Sequence, residues 1–224
     1  MKSTHYILSF LSIGLFLASC GNEPKSTEDN KESATQKTVV VDSQTVVKFS
    51  LLPETVEVKW IGYKLAEKVG VNGAFKEFTL TGYNNESSSI KDLMTGTEIS
   101  IKVGSTKTGD EVRDGKIITS FFGSMNATET INAKLVSLSG ETSGIAKVLI
   151  KMNDVEIEKE LDWSYTKDNF TFLLNGTIEV PEWNAQSALD ALNLVCEEKH
   201  RGEGAVAVTW SDVAVSAFVL IDEK

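Results

Sequence analysis

The chain has 224 residues, 41% of them hydrophobic, with 22 Lys and Arg against 32 Asp and Glu, a formal charge of −10. That acidic balance, with no run of Lys and Arg, excludes nucleic acid as a partner and speaks against anionic headgroups at the surface, since both are bound through basic patches. Two histidines and two cysteines are too few for a His-based catalytic or metal cluster.

Lys2 precedes an almost wholly apolar run over residues 6–17. Such a run is too short to cross the ~30 Å hydrocarbon core as a helix and reads as a secretory signal. Leu17-Ala18-Ser19-Cys20 resembles the lipobox of bacterial lipoproteins, in which the cysteine thiol takes a diacylglycerol before cleavage just ahead of it. The resemblance implies a signal over residues 1–19, an acylated Cys20 as membrane anchor, and a place in the bacterial cell envelope. The outer membrane is favoured over the inner, on its periplasmic or its surface face. Cys196 is then the only other cysteine, so the folded domain has no intramolecular disulfide and its core must stand unstapled.

Residues 20–38 are expected to be a flexible linker, because 21–37 hold no aliphatic residue larger than Ala and are rich in Glu, Lys, Ser, Thr and Asn. From residue 39 to 224 the texture changes to period two, the mark of half-buried antiparallel strands. Val56, Val58 and Trp60 alternate with polar neighbours, as do Ile99, Ile101 and Val103. Further strands are predicted over 71–80, 131–138, 145–152, 155–163, 170–180 and 206–221. Eight or so strands in this length suit one sandwich or barrel.

Two segments break the pattern. Thr108 followed three residues later by Glu111 fits a capping box, and Ile117, Ile118, Phe121 and Phe122 form an apolar stripe behind it, so a short helix is predicted. Residues 182–199 form the stronger helix, with Ala185, Leu189, Leu192 and Cys196 on one face, Pro181 before it and Gly202 after it. This helix is expected to cover or plug one end of the β structure.

Little in the sequence points to chemistry. Cys196 and His200 share a helix face, but Cys196 lies on the apolar stripe, where a free thiol behaves as a small hydrophobe. Asp110, Glu111, Arg113 and Asp114 read as a solvated helix start rather than an ion-binding corner. Gly202-Glu203-Gly204 lacks the third glycine and preceding strand of a dinucleotide loop. Trp60, Trp163, Trp183 and Trp210 read as core.

Two blocks resemble the YceI-like, polyisoprenoid-binding-like family. Val71-Asn72-Gly73-Ala74-Phe75-Lys76-Glu77-Phe78 is similar to its G-x-F-x-x-F strand. Ser105-Thr106-Lys107-Thr108-Gly109-Asp110-Glu111-Val112-Arg113-Asp114, leading to Phe121-Phe122, is similar to its S-x-x-T-G…R-D…F-F segment. The stretch from Trp183-Asn184-Ala185 through Cys196 and His200 to Trp210 resembles a lipoprotein branch of that family. The usual His-Thr ahead of the first glycine is Val71-Asn72 here, and the family's G-V-T-K-P-V turn is replaced by Met152-Asn153-Asp154-Val155-Glu156-Ile157.

The resemblance implies an all-β fold with one or two helices: an eight-stranded antiparallel, lipocalin-like β-barrel with a long apolar cavity and the C-terminal-half helix at one end. It implies a non-catalytic protein without cofactors or metals that carries a polyisoprenoid or other long-chain lipid, and it leaves a homodimer open. A barrel of this size can instead fill with its own side chains, which would make the protein a structural or stress-related interaction module. Phe75, Phe78, Phe121, Phe122, Trp183 and Leu189 are the expected cavity wall. Phe75 and Phe78 are an odd number apart, so both can face inward only if the strand bulges near Lys76-Glu77.

Overall fold

The computed structural model describes residues 46–203 and 206–224. The expected signal, Cys20, the linker and the first residues of the 39–224 domain lie outside them. Ten strands form a single antiparallel sheet: β1 (Phe49–Lys64), β2 (Val69–Phe75), β3 (Phe78–Thr81), β4 (Glu98–Lys102), β5 (Thr106–Lys107), β6 (Thr130–Leu138), β7 (Ser143–Met152), β8 (Val155–Thr166), β9 (Thr171–Glu179) and β10 (Thr209–Glu223). Their hydrogen-bonded order is β3-β4-β6-β7-β8-β9-β10-β1-β2-β5.

The sheet closes on itself, because its two ends are the same pair of chain segments. The chain runs from β2 through Lys76-Glu77 directly into β3, and from β4 through a 3₁₀ turn (Val103–Ser105) into β5. Across these joints Lys76 N–H donates to the Ser105 carbonyl at 3.2 Å, and Lys102 N–H donates to the Glu77 carbonyl at 3.0 Å. The strand count of ten therefore exceeds the expected eight only because two barrel staves are each broken in two.

Val103 and Gly104 are the extra residues that shift the register at this seam. Buried Ser105 staples it: its hydroxyl accepts from the N–H groups of Lys76 (3.1 Å) and Glu77 (3.0 Å) and donates to the Lys102 carbonyl (2.7 Å). The bend leaves Lys76 and Glu77 both exposed, with Phe75 buried on one side and Phe78 half-buried against the same core on the other.

Strand alternation sets the inside of the barrel. In β8 Leu161, Trp163 and Tyr165 are buried while Glu158, Glu160 and Asp162 face out, and β7 matches it with Ala146, Val148, Ile150 and Met152. The hairpin between them turns on Asn153-Asp154, whose φ of 51° and 58° fit the two-residue turn that follows the twist of paired strands. Its Asn153 side chain reaches across the barrel end: Oδ1 accepts from Asn126 N–H at 2.6 Å, and Nδ2 donates to the Trp183 carbonyl at 2.8 Å.

One half of the interior is solid. Leu51, Leu161, Trp163, Phe172, Val219 and Ile221 fill it, with Trp163 stacked on Phe172 at 5.7 Å and its indole N–H donated to the Ser139 carbonyl at 2.8 Å. A short helix, α1 (Ile90–Met94), buries Leu93 and Met94 in the same core. α1 is not among the helices expected from the sequence. Its signal is Ser89 followed by Asp92, where the serine hydroxyl accepts from the Asp92 N–H at 3.0 Å. Among the described residues, packed side chains occupy this half, where the resemblance implies a long cavity.

The other half carries the two predicted helical segments. α2 (Glu111–Lys116) is capped by Asp110, which accepts from the Arg113 N–H at 3.0 Å, and not by Thr108. It widens into a π-helical turn (Ile117–Phe121) and ends in a 3₁₀ turn (Phe122–Ser124). The second segment starts as a 3₁₀ turn (Val180–Trp183), continues as α3 (Gln186–Val195), breaks at Cys196 and resumes as α4 (Glu197–Arg201). Asn184, with φ 55°, resets the chain between the 3₁₀ turn and α3, so the expected continuous helix over 182–199 is three pieces.

Candidate functional site

Between α2 with its π-helical extension, α3, and the inner faces of β1, β2, β9 and β10 lies a cavity of about 440 Å³. Single small-ligand sites span roughly 300–1,000 Å³. Its inner wall is apolar: Phe75 from β2, Ile178 from β9, Met152 from β7, Phe122 from the helical turn, and Leu189 and Leu192 from α3. The π-helical turn presents Phe121 and Phe122 together, with ring centroids 5.0 Å apart edge to face, and Phe122 meets Phe75 at 6.2 Å.

Phe75, Phe121, Phe122 and Leu189 therefore line the cavity. Phe78 and Trp183 do not. Phe78 lies past the seam bulge, in a separate groove with Ile118 and Met125. Trp183 is fully buried beside the wall, held there by its indole N–H, which donates to the Ile150 carbonyl at 3.0 Å.

Of the tryptophans read as core, Trp163 and Trp183 are core, whereas Trp60 and Trp210 line the cavity. Trp60 pairs with Gly73 across the β1–β2 ladder, and a Cβ on Gly73 would overlap its ring. The Trp60 indole N–H donates to Thr106 Oγ1 at 3.2 Å, which fixes it flat over that glycine.

The rim is polar. Arg113 Nε donates to Thr108 Oγ1 at 2.8 Å and Nη2 to the Thr108 carbonyl at 2.9 Å. The Thr108 hydroxyl donates onward to Asp114 Oδ1 at 2.5 Å, which also accepts the Thr108 N–H at 2.8 Å. Asp114 is only 3% exposed and half-buried Arg113 reaches it through Thr108, so this pair is a strut under α2, whereas Asp110 and Glu111 are the solvated helix start expected from sequence. Lys116 Nζ donates to the Val195 carbonyl at 2.7 Å, joining α2 to the end of α3.

His200 and Cys196 are both buried and both line the cavity; the His200 N–H donates to the Cys196 carbonyl at 2.9 Å, and no side-chain hydrogen bond joins the two among the described residues. Burial pushes the Cys196 thiol up in pKa, against the pull of Lys116 and Lys64. Asn193 Nδ2 donates to the Ala207 carbonyl at 3.2 Å, which points its Oδ1 at the Thr209 hydroxyl (2.9 Å). Thr209 thus accepts from His200 Nδ1–H at 2.7 Å, and Nε2 has no hydrogen-bond partner among the described residues. Burial first, then Lys64 and Lys116, push His200 from 6.5 down to about 4.

The unfolded chain protonates this imidazole near pH 6.5, while the folded protein refuses the proton until about pH 4. Stability should therefore fall as pH drops through that window, by up to ~1.4 kcal/mol per unit. Urea midpoints of wild type and His200→Gln between pH 7 and 4 test it. Parallel curves for the two proteins would show that the folded imidazole takes its proton as readily as the unfolded one.

No family model and no curated protein matches the sequence. Solved structures do match the fold. A polyisoprenoid binding domain from Saccharophagus degradans, described as implicated in plant cell wall breakdown, superposes with a TM-score of 0.53 at 12% identity, covering 80% of this chain and 99% of that one. BcnA from Burkholderia cenocepacia gives 0.52 at 13% identity, covering 77% and 99%. A YceI protein from Campylobacter jejuni gives 0.46 at 15% identity, covering 70% and 86%. The chain shares the barrel fold of the first two; at these identities the likeness is one of fold.

Proposed function

We propose that this YceI-like barrel is a non-catalytic carrier that holds a polyisoprenoid or similar long-chain amphiphile in the cavity between α2 and α3. The observation that carries this reading is an apolar cavity of about 440 Å³ at the helix-covered end of the fold. A polyisoprenoid binding domain has the same fold. Each CH₂ taken from water gains about 0.8 kcal/mol, so a tail needs no polar chemistry in the wall to bind. Because the far half of the barrel is packed, the tail is held at one end of the barrel. That packed half also supports the second reading, an interaction module without ligand. Native mass spectrometry of the protein from its own membrane separates the two by showing whether a lipid travels with it.

Phe121→Asp tests the site. Phe121 is half-buried, so the domain should stay folded, while an unpaired carboxylate is placed against the apolar wall. Uptake of a fluorescent isoprenoid should fall at least tenfold, since burying such a group costs more than the ~1.4 kcal/mol that a tenfold loss requires. Unchanged uptake in a folded variant would remove the cavity from consideration.

Acylated Cys20 and the linker over residues 20–38 would tether the carrier to the envelope membrane, so that lipid is taken up at the surface it came from. Alkyne-fatty-acid labelling of the full chain should disappear in Cys20→Ala. Label that persists would place the acyl group elsewhere.

A further inference from the structure

We infer that the ligand of this cavity carries an anionic head group, a carboxylate or a phosphate, seated at the rim by Lys64, Lys116 and Lys199 beside His200. The inference rests on the carrier reading above and specifies its ligand class. Eighteen Lys and Arg lie among the described residues, and twelve of them pair with a carboxylate there. Of the six that do not, four (Lys64, Arg113, Lys116 and Lys199) line this one cavity.

With 32 Asp and Glu against 22 Lys and Arg the chain has a carboxylate to spare for every cation, yet the unpaired ones gather at this cavity. Among the described residues the only carboxylate lining the cavity is Asp110, whose Oδ1 is already taken by the Arg113 N–H as the cap of α2. The cations come from three separate parts of the chain: the end of β1, α2 and α4. The sequence therefore has no basic run, and the patch exists only once the barrel has folded.

The individual groups fit an oxyanion. Arg113 is spent on Thr108, and Lys116 places its ammonium against the Val195 carbonyl with two further N–H groups to give. Lys64 and Lys199 make no ion pair among the described residues. Both Lys64 and Lys116 act on His200 and on Cys196, so their fields overlap at the polar end of the cavity. An anion arriving there relieves the mutual repulsion of these cations, while its tail occupies the Phe75–Phe122 wall. A neutral alcohol offers the same tail and leaves the repulsion in place.

The test is a competition series against the fluorescent isoprenoid: oleate, farnesyl phosphate, the alcohols oleyl alcohol and farnesol, and inorganic phosphate. Each anion should displace the probe at least tenfold more tightly than its own alcohol. That advantage should shrink with added salt and collapse toward unity in Lys64→Gln/Lys199→Gln. Inorganic phosphate, lacking a tail, should displace nothing. Alcohols that compete as well as their anions would overturn the head-group inference and leave the carrier standing. Displacement by inorganic phosphate alone would make the rim a free-anion site and overturn it too. Failure of every amphiphile and of the probe itself would instead remove the carrier reading.

Discussion

Replacing Trp183 by Ala should cost the domain ~3–5 kcal/mol, close to the whole stability of many single domains. The ring is fully buried at the junction of β7, the Asn153 turn and the start of α3. Its removal leaves a cavity that three converging elements cannot close, and strips the Ile150 carbonyl of its partner. For a domain of this size the melting temperature should drop by ~6–20 °C. Trp183→Phe, which restores most of the volume and not the hydrogen bond, should fall between. A melting temperature for Trp183→Ala within 2 °C of wild type would show that the site collapses freely.

Asp114→Ala should be the next most damaging change, at ~2–4 kcal/mol. The buried carboxylate receives both the N–H and the hydroxyl of Thr108, and Thr108 in turn receives Arg113. Without it a backbone donor is left unpaired and the segment leading into Phe121-Phe122 loses its anchor. Stability and isoprenoid uptake should therefore fall together, with hydrogen exchange accelerated over residues 108–124. Asp114→Asn keeps one oxygen able to accept from Thr108 and should lose less than half as much. Equal losses for Ala and Asn would mean that the charge, and not the acceptor, holds the loop.

The barrel was legible because its cause is local. Alternation along single strands, as in the run from Val213 to Ile221, decides which side chains face inward before any partner is known. That the pairing must break between Phe75 and Phe78 was legible for the same reason, as a parity conflict within one strand, but the extra residues, Val103 and Gly104, lie on the partner stave. The staple was not legible: Ser105 acts on Lys76 and Glu77 across a ladder, and nothing around the serine announces that partner. The cap of α2 went to Asp110 instead of Thr108 because both precede the helix, and the turn at Gly109 (φ 84°) decides which oxygen faces the N–H groups. The spacing of Phe121 and Phe122 made the helical turn legible, whereas their place at a cavity was an expectation from the family resemblance alone. The rim cations were invisible, since Lys64, Lys116 and Lys199 become neighbours of one cavity only through closure of the sheet.

Gly73 sets the bore of this barrel end. Opposite it, the Trp60 indole lies back against bare backbone on the wall it lines. Any side chain at 73 would swing the indole inward about its fixed Cα and place a bar across the passage toward Phe75. The calibre available to a guest thus depends on a missing methyl group as much as on the ring it lets lie back. A narrower relative could be made, or could arise, by one substitution there, with every lining side chain left as it is.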